Sequence, residues 1–485
     1  FRSQVFSVFQ EVFADNSGLG SVRRPISKMA PGLQRVSPGV VCGVLQGEDM
    51  QVARPIVASR IDFRGEPSFD PSPFLDARAR KIFNCPIKAA LSPEEAPEAP
   101  PAVKIFASEA EKWALLRKLD STGRLGVFRL RQAYPGYQAG LFAVAKDIEK
   151  DRLIFDSRPF NCLEQPPNKW ISSMGASSCL LELQMSPGER MLLSGTDLRE
   201  FYYSFSATQE RVIRNSLIGP VYAQDIRDFR CYDASLEGAG PLLFGLKTLA
   251  MGDSCAVEIA QTAHLGILVR CGLVDESTLV SMTLPPPRSP SMLGVVFDDL
   301  ILFELVARGV SVSDPSVKTG KMLDKALESY ERLGLIAHPG KTFRLEEEAE
   351  FWGSHLDGVS GAVRANLKRV VPLVFATVGV IKLGICTLSL LNVLVGSWTS
   401  VFLYKRRMLS LINVSYAALH SSEDPRAVLR LSDELLSELI LIVSLAPLAV
   451  TFLTAENSNF VSASDASSWG LAVCKAPLPL WLRGE

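Results

Sequence analysis

The chain is 485 residues long, with 47% hydrophobic and 21% charged residues, which excludes a disordered or fibrous protein and predicts about two to four globular domains. Its formal net charge is -1, so any binding of nucleic acid must depend on local clusters of Lys and Arg. The nine cysteines form no CxxC pair and the four histidines no zinc-site spacing, which excludes a zinc module and indicates reduced thiols, as in an intracellular protein of the nucleus or cytoplasm.

Residues 1–103 are predicted to form an N-terminal extension and linker, to which we assign no function. They are rich in Pro, Gly and Ser without sustained periodicity, and LSPEEAPEAPP at Leu91–Pro101 is typical of an extended linker. A helix is predicted to begin after Ser108, because Glu111 follows three residues later in a capping-box arrangement.

The next segment, up to about residue 360, has the pattern of an α+β fold. Strand-like runs at Gly126–Leu130, Gly140–Ala145 and Leu153–Asp156 precede short apolar strands that alternate with helical patterns, which predicts a mainly antiparallel sheet. The run PPPRSP at Pro285–Pro290 is predicted to be an irregular loop.

Residues 365–450 are strongly apolar and are predicted to be mostly helical, whereas Phe460–Cys474 is strand-like. Within the helical region, Leu383–Tyr404 carries no charge and is about long enough to span a bilayer. Because it contains polar residues such as Thr387 and Asn392, we favour a pair of buried helices over a membrane helix and expect no membrane partner.

The most informative short run is MLGVVFDDLILFE at Met292–Glu304. Its two apolar stretches are of strand length, and the acidic pair between them fits the tip of a β-hairpin. Asp298 and Asp299 can serve one site only if the backbone turns there, because successive side chains of a strand point to opposite faces. Adjacent carboxylates in an apolar setting are costly unless a cation compensates them, so the pair predicts a metal site. The alternative is a solvated turn.

A third carboxylate, Asp197, ends the apolar run in MLLSGTDLREFYYSF at Met191–Phe205. With Asp298 and Asp299 it would complete a site for two ions roughly 3.5–4 Å apart, which activates a 3′-hydroxyl and stabilises a leaving pyrophosphate. Mg²⁺ is the expected cofactor, with Mn²⁺ as a substitute, because both favour carboxylate oxygens. The alternative for Asp197 is a helix cap.

In this order the motifs resemble those of reverse transcriptases, most closely those of retrotransposons. Asp197 followed five residues later by Tyr202 is similar to the first palm motif, and Asp298-Asp299 to the third, with Val296 in place of the usual Tyr. The resemblance implies a right-hand polymerase with fingers, a palm built on the antiparallel sheet, and a helical thumb and connection. It also implies that the three aspartates are catalytic metal ligands and that Tyr202 excludes a 2′-hydroxyl and so favours deoxynucleotides.

The basic segment KDIEKDRLIFDSRPFN at Lys146–Asn161 is similar to the fingers hairpin of the family. The resemblance places Lys146 and Arg152 where relatives hold the incoming triphosphate, and a cationic pair there would offset phosphate charge. The Asp-x-Arg-x-x-Asn pattern of the family is filled by Asp156, Arg158 and Asn161.

Two further segments resemble the second and fourth palm motifs. In LAMGDSCAVEIAQTAH at Leu249–His264 the resemblance makes Gly252 and Gln261 substrate-binding, although Met251 stands where Gln is usual and Ala256-Val257 where Ser-Pro is usual. In LGLIAHPGKTF at 333–343, Lys341 matches the lysine that approaches the leaving phosphate and implies a proton donor.

Phe351-Trp352-Gly353 is similar to the primer-grip hairpin, and Val461–Val473 to the first strand of a ribonuclease H domain with Asp465 as its metal ligand. The predicted domains are therefore the extension (1–103), fingers and palm (104–360), thumb and connection (361–455), and an incomplete ribonuclease H-like start (456–485). The predicted function is reverse transcription, with an RNA or DNA template, a primer and deoxynucleotides as partners. The alternatives are a decayed copy that only binds nucleic acid and an RNA-templated RNA polymerase.

Overall fold

The computed structural model describes residues 52–95, 99–164, 170–456, 458–467 and 470–477, which form a mixture of helices and antiparallel sheets. The helices are α1 (Ala77–Asn84), α2 (Pro86–Ala89), α3 (Glu109–Ser121), α4 (Arg158–Asn161), α5 (Trp170–Ser173), α6 (Ser177–Leu180), α7 (Phe201–Ser204), α8 (Gln209–Arg214), α9 (Ala256–Arg270), α10 (Thr319–Arg332), α11 (Leu367–Leu383), α12 (Leu388–Phe402), α13 (Asn413–Leu419) and α14 (Asp433–Leu445).

The strands are β1 (Leu125–Arg129), β2 (Gly140–Ala145), β3 (Asp151–Asp156), β4 (Glu189–Asp197), β5 (Leu242–Leu246), β6 (Ser291–Val296), β7 (Asp299–Ala307), β8 (Phe343–Glu346), β9 (Glu348–Phe351), β10 (Ser354–Asp357), β11 (Ala362–Ala365), β12 (Ile385–Thr387), β13 (Val428–Arg430), β14 (Val450–Phe452), β15 (Phe460–Ser467) and β16 (Gly470–Pro477). The three strand-like runs before residue 160 therefore form strands, and Pro285–Pro290 is irregular, as predicted.

The central sheet has the strand order β6-β7-β4-β8 with antiparallel neighbours. Alternate residues of its strands enter different cores: Leu300 and Leu302 pack with helices α9 and α10, whereas Ile301 and Phe303 pack with the helical region that follows residue 365. Because both faces of the sheet are covered, β6 and β7 are continuous apolar runs. This double burial explains why the two aspartates at the hairpin tip are flanked by hydrophobic residues.

A second four-stranded sheet has the order β14-β11-β10-β9 and lies under the helices α11 to α14. Its β9–β10 hairpin turns at Trp352-Gly353, whose φ angles of 48° and 74° are both positive, as a two-residue hairpin turn requires. The Trp352 ring fills a slot beside Gly175 and Gly294, where an added Cβ would lie 2.4 and 2.3 Å from the ring.

The segment before residue 103 contributes to the folded body. Phe69 and Phe83 are fully buried and contact Phe205, and Ile56 donates a backbone hydrogen bond to Phe106. The described residues 52–95 therefore pack into the folded body instead of forming a separate extension. The sequence gives no periodic pattern that predicts this burial, because the aromatic residues are widely spaced.

Of two local predictions after residue 103, the cap at Ser108 is confirmed, whereas the pair of buried helices expected at 383–404 is not. The Ser108 side chain accepts a hydrogen bond from the backbone N–H of Glu111, 3.3 Å away, and so caps α3. The segment 383–404 divides into β12 and α12 instead of forming one long helix. Within the described part of the chain, no helix combines the length and apolar character that crossing a membrane requires.

The strands β15 and β16 pair with each other in a two-stranded sheet, in which Asp465 lies opposite Ala472. The predicted strand at Phe460–Cys474 is therefore present as a hairpin. Its relation to a ribonuclease H domain stays a prediction.

Candidate active site

The three aspartates singled out in the sequence meet at the end of the central sheet. Asp197 ends β4 and lies directly opposite Asp299, the first residue of β7, while Asp298 occupies the turn between β6 and β7. One carboxylate oxygen from each lies within 4.8 Å of the others. The two-residue turn brings the neighbouring aspartates to one side, which a regular strand would prevent.

The three carboxylates of this acidic cluster (Asp197, Asp298 and Asp299) repel one another. Burial and the charge of Asp197 raise the pKa of Asp298 to about 6. Burial, together with the charges of Asp298 and Asp197, raises the pKa of Asp299 to about 7. Like charges opposite one another in a sheet are unfavourable, so the cluster favours protons or cations close to neutral pH.

Lys341 is the cation that contacts this cluster. Its ammonium group donates to Asp197 Oδ2 over 2.6 Å, although the Lys341 side chain is 57% exposed. The backbone frames the same position, since His338 N–H donates to the Asp197 carbonyl and Leu198 N–H to the Asp298 carbonyl. This ion pair engages one of the three carboxylates and leaves Asp298 and Asp299 without a direct ion pair to any described residue.

The basic hairpin β2–β3 faces the cluster through Arg152. This arginine is exposed, and its charge lowers the pKa of Asp298 against the effect of burial. Lys146 lies in the hairpin turn, where its charge acts on Asp147. Of the two residues expected to hold a triphosphate, Arg152 is therefore the one whose charge acts on the acidic cluster.

Tyr202 lies on α7, just after Asp197, and is partly buried beside the acidic cluster. Burial, with the charges of Asp298 and Asp253, raises the pKa of its phenol, so the hydroxyl stays protonated at neutral pH. The structure thus brings together Tyr202 and the acidic cluster, as the resemblance implies.

Gly252 turns the backbone with a φ angle of 117° close to β3. An added Cβ there would lie 2.0 Å from the Phe155 carbonyl oxygen, so only glycine fits. Asn161 donates to the Gly252 carbonyl over 2.9 Å. The turn borders a cavity of about 600 Å³ whose other walls include Phe106, Phe142 and Arg158.

Beneath the Gly252 turn lies a buried charge network that sequence patterns did not indicate. Arg211 donates to Asp253 over 2.6 Å, and Arg214 pairs with Glu164 at 2.7 Å and with Asp253 at 3.1 Å. The arginine side chains are 0% exposed, so two cations balance two carboxylates away from water. Glu164 and Asp253 also approach Cys255 closely enough for a metal site, but the guanidinium groups already neutralise them.

Gln261 lies behind the hairpin and not on an open surface. It is fully buried, its amide oxygen accepts from Phe297 N–H at 2.8 Å, and its amide nitrogen donates to the Val295 carbonyl at 3.2 Å. The expectation of a substrate contact is therefore corrected, because both polar ends of the side chain bind the β6–β7 backbone. His264, one turn further along α9, contacts the same turn and was not predicted.

Three convergent carboxylates are a donor set for divalent cations. Oxygen ligands suit Mg²⁺ and Mn²⁺, and burial together with the repulsion between the carboxylates raises the pKa of Asp298 and Asp299, a cost that a bound cation would offset. The residues present thus fit a metal centre, with Asp197, Asp298 and Asp299 as its candidate ligands.

No family model matches the chain. Its backbone is similar to that of a foamy viral protease-reverse transcriptase in complex with double-stranded DNA, with a TM-score of 0.51 and 13% sequence identity over 94% of this chain and 66% of that one.

The chain has a reverse-transcriptase-like fold.

A foamy viral protease-reverse transcriptase in complex with an RNA/DNA hybrid gives a TM-score of 0.47 and 16% identity, over 77% of this chain and 42% of that chain. In sequence, 119 residues, or 24% of this chain, are 32% identical to 18% of branched-chain-amino-acid aminotransferase-like protein 2 of Arabidopsis thaliana. The chain thus spans less than two thirds of the foamy viral chains and of the plant protein. A likeness of this extent assigns no activity, and the reverse-transcriptase-like fold leaves the site to carry the functional argument.

Proposed function

We propose that the chain is a template-directed DNA polymerase that transfers a deoxynucleotide to a primer 3′-hydroxyl by two-metal phosphoryl transfer. The observation that carries the proposal is the acidic cluster, in which residues about a hundred positions apart in the sequence present oxygens within 4.8 Å of one another. The reverse-transcriptase-like fold supports it, because this cluster lies at the end of the central sheet of that fold.

Asp197 and Asp298 are assigned to hold both ions, with Asp299 in support. Bound Mg²⁺ or Mn²⁺ supplies Lewis-acid activation of the hydroxyl and charge stabilisation of the leaving pyrophosphate. Lys341, which lies within hydrogen-bond distance of Asp197, is assigned to give a proton to that leaving group. Arg152 and Lys146 attract the triphosphate from the opposite hairpin.

Two further features of the chain suit contact with a nucleic acid. The cavity beside Gly252 offers aromatic walls for bases, and on its wall the Arg158 guanidinium is paired with Asp156 at 2.7 Å. On the helical region, Lys405, Arg406 and Arg407 are exposed, and the preceding Tyr404 bonds to Ser354 of the β9–β10 hairpin at 2.7 Å. This basic triplet is assigned to the phosphates of the primer–template duplex, a contact that salt would weaken.

Primer extension tests the proposal. Wild-type protein with Mg²⁺, a primed RNA or DNA template and deoxynucleotides is expected to extend the primer, and Asp298→Asn to reduce the rate by at least about 100-fold, since it removes a metal ligand. Glu276→Gln, which neutralises an exposed carboxylate elsewhere, is the matched control. Equal rates for wild type and Asp298→Asn would remove this residue from the mechanism. Nucleic-acid binding without extension would favour the decayed copy.

Nucleotide choice separates DNA synthesis from RNA synthesis. The Tyr202 ring lies beside Asp298, where it can exclude a 2′-hydroxyl. Wild type is therefore expected to prefer deoxynucleotides, and Tyr202→Ala to accept ribonucleotides at a higher relative rate. Tyr202→Phe, which keeps the ring, serves as the control and retains the preference. A wild-type preference for ribonucleotides would instead support the RNA polymerase alternative.

A further inference from the structure

The turn that carries Asp298 is held by two side chains of one helix. Phe297 has a positive φ angle of 53°, which is unfavourable for a residue with a bulky side chain. Its N–H donates to Gln261 Oε1 at 2.8 Å, and its carbonyl lies 2.6 Å from Nδ1 of His264. Gln261 and His264 are three residues apart on α9 and so share a face of that helix.

The hydrogen bonds define the state of the His264 ring. A carbonyl oxygen only accepts, so Nδ1 carries the proton that is donated to Phe297. Burial lowers the pKa of His264 to about 4, which leaves the ring neutral and Nε2 as an acceptor. Tyr330, fully buried on α10, lies with its hydroxyl 2.6 Å from Nε2 and donates to it. Each polar atom in this chain of contacts therefore has a partner.

The contact with Phe297 bears directly on Asp298 because the two residues share a peptide plane. The carbonyl of Phe297 and the N–H of Asp298 are rigidly coupled, so a bond that fixes one also fixes the direction in which the Asp298 backbone begins. Rotation of this peptide would turn the carbonyl away from His264 and re-aim the carboxylate. The Phe201 ring, 5.7 Å from the His264 ring, links the same contact to the segment after Asp197.

We propose that His264 is a positioning residue that holds the Phe297–Asp298 peptide and thereby sets Asp298 against Asp197 and Asp299, with the Tyr330 hydroxyl orienting its ring. This inference rests on the proposed function. A histidine that only fills space in the core would be equally sensitive to loss of either ring nitrogen. The proposal instead predicts that Nδ1, which contacts the Phe297 carbonyl, matters for the metal site and that Nε2 matters much less.

Two amide variants separate the two nitrogens. In His264→Asn the side-chain amide can occupy the place of Nδ1 and donate to Phe297, but it does not reach Tyr330. In His264→Gln the longer side chain carries its amide towards the place of Nε2 and leaves the Phe297 carbonyl without its donor. Both variants lose the ring, and because the smaller Asn leaves the larger void, packing loss alone would predict the greater effect for His264→Asn, opposite to the proposal.

The primary measurement is Mn²⁺ binding, by electron paramagnetic resonance, to the full chain without nucleic acid. Loss of an outer contact to a metal ligand typically costs 10–100-fold in affinity or activity, so His264→Gln is expected to weaken Mn²⁺ binding by roughly that factor, whereas His264→Asn stays within about threefold of wild type. In primer extension, His264→Gln is expected to lower kcat and His264→Asn to retain it, with little change in KM for the deoxynucleotide in either variant.

Equal Mn²⁺ affinity in wild type and both variants would overturn the proposal, as would equal loss in both, since packing alone would then explain it. Tyr330→Phe removes only the partner of Nε2 at nearly constant volume and is expected, like His264→Asn, to stay within about threefold of wild type in Mn²⁺ affinity, whereas a loss as large as that of His264→Gln would assign the effect to Nε2 and overturn the proposal. The metal measurement does not need polymerase activity. If Asp298→Asn binds Mn²⁺ as wild type does, the proposed function fails first, and that outcome is distinct from failure of the His264 assignment.

Discussion

The molecule contains a fully buried charge network and a partly buried acidic cluster, and the two are built on opposite plans. The network of Arg211, Arg214, Asp253 and Glu164 contains equal numbers of cations and anions in mutual contact. In the acidic cluster three carboxylates converge, and only Asp197 among them forms an ion pair in the described structure, with the exposed ammonium of Lys341. A balanced group is complete within the protein and acts as structure, whereas an unbalanced group needs charge from outside. Charge balance thus distinguishes the candidate site from its support.

The largest expected effect comes from unbalancing the network. Arg214→Met leaves Glu164 and Asp253 buried against one arginine, and breaking such a buried pair costs about 3–5 kcal/mol of unfolding free energy. Urea denaturation followed by circular dichroism measures it. Arg117→Met, which disrupts the exposed ion pair with Asp228, is the control and should change little. Equal effects in both variants would contradict the comparison.

Adding the missing positive charge should stabilise the folded chain. At a free Mg²⁺ or Mn²⁺ concentration 100-fold above Kd, the expected gain in unfolding free energy is about 2.7 kcal/mol, and chelation removes it. The gain should shrink as pH falls through about 7 and then 6, because protons compete for Asp299 and Asp298. Thermal unfolding with and without chelator provides the measurement. An equal gain in Asp298→Asn would show that the ions bind elsewhere.

Removing one negative charge should stabilise the metal-free protein. The pKa of Asp299 is about 7 in the folded chain against about 3.9 unfolded, so the folded state holds more protons between these values. The unfolding free energy of metal-free wild type therefore falls as pH rises through this window. Asp299→Asn should reduce that fall and gain on the order of 2 kcal/mol at pH 8. A steeper pH dependence in the variant would reverse the interpretation.

The smallest expected effect concerns Lys341. Because its ammonium group competes with added cations for Asp197, Lys341→Met should tighten Mn²⁺ binding by roughly two- to fivefold, a range set by the weakness of exposed ion pairs. Lys341→Arg retains the charge and should bind Mn²⁺ as wild type does. A titration followed by electron paramagnetic resonance distinguishes them, and weaker binding in Lys341→Met would mean that the lysine supports the cations.

The acidic cluster could be predicted because its signal is local. Two apolar runs around Asp298-Asp299 specify a hairpin, and the order of motifs along the chain indicated which distant aspartate joins them. The structure brings the three together, while their roles as metal ligands stay predictions. The strands before residue 160 and the cap at Ser108 could likewise be predicted, because short-range sequence patterns specify them.

The residues that pack and bond behind the site could not be predicted from short sequence patterns. Arg211 and Arg214 lie in QERVIR, which is typical of a solvated helix face, and their partners come from Asp253 and the distant Glu164. His264 sits in an apolar helix where nothing nearby indicates its contacts. Burial of polar groups is decided by tertiary packing, so neither composition nor periodicity reveals it. For the same reason Gln261 was expected at the substrate and lies behind the hairpin.

The indole of Trp352 occupies space that two glycines leave vacant, one of them in strand β6 two residues before the end of that strand. The amino acids at positions 175, 294 and 352 are therefore coupled by volume. A chain of this fold with a smaller residue at the corresponding turn would have room for a side chain on that strand, and a bulkier strand residue would force the turn residue out into solvent. The size of one ring thus limits which sequences can join this hairpin to the β6–β7 hairpin.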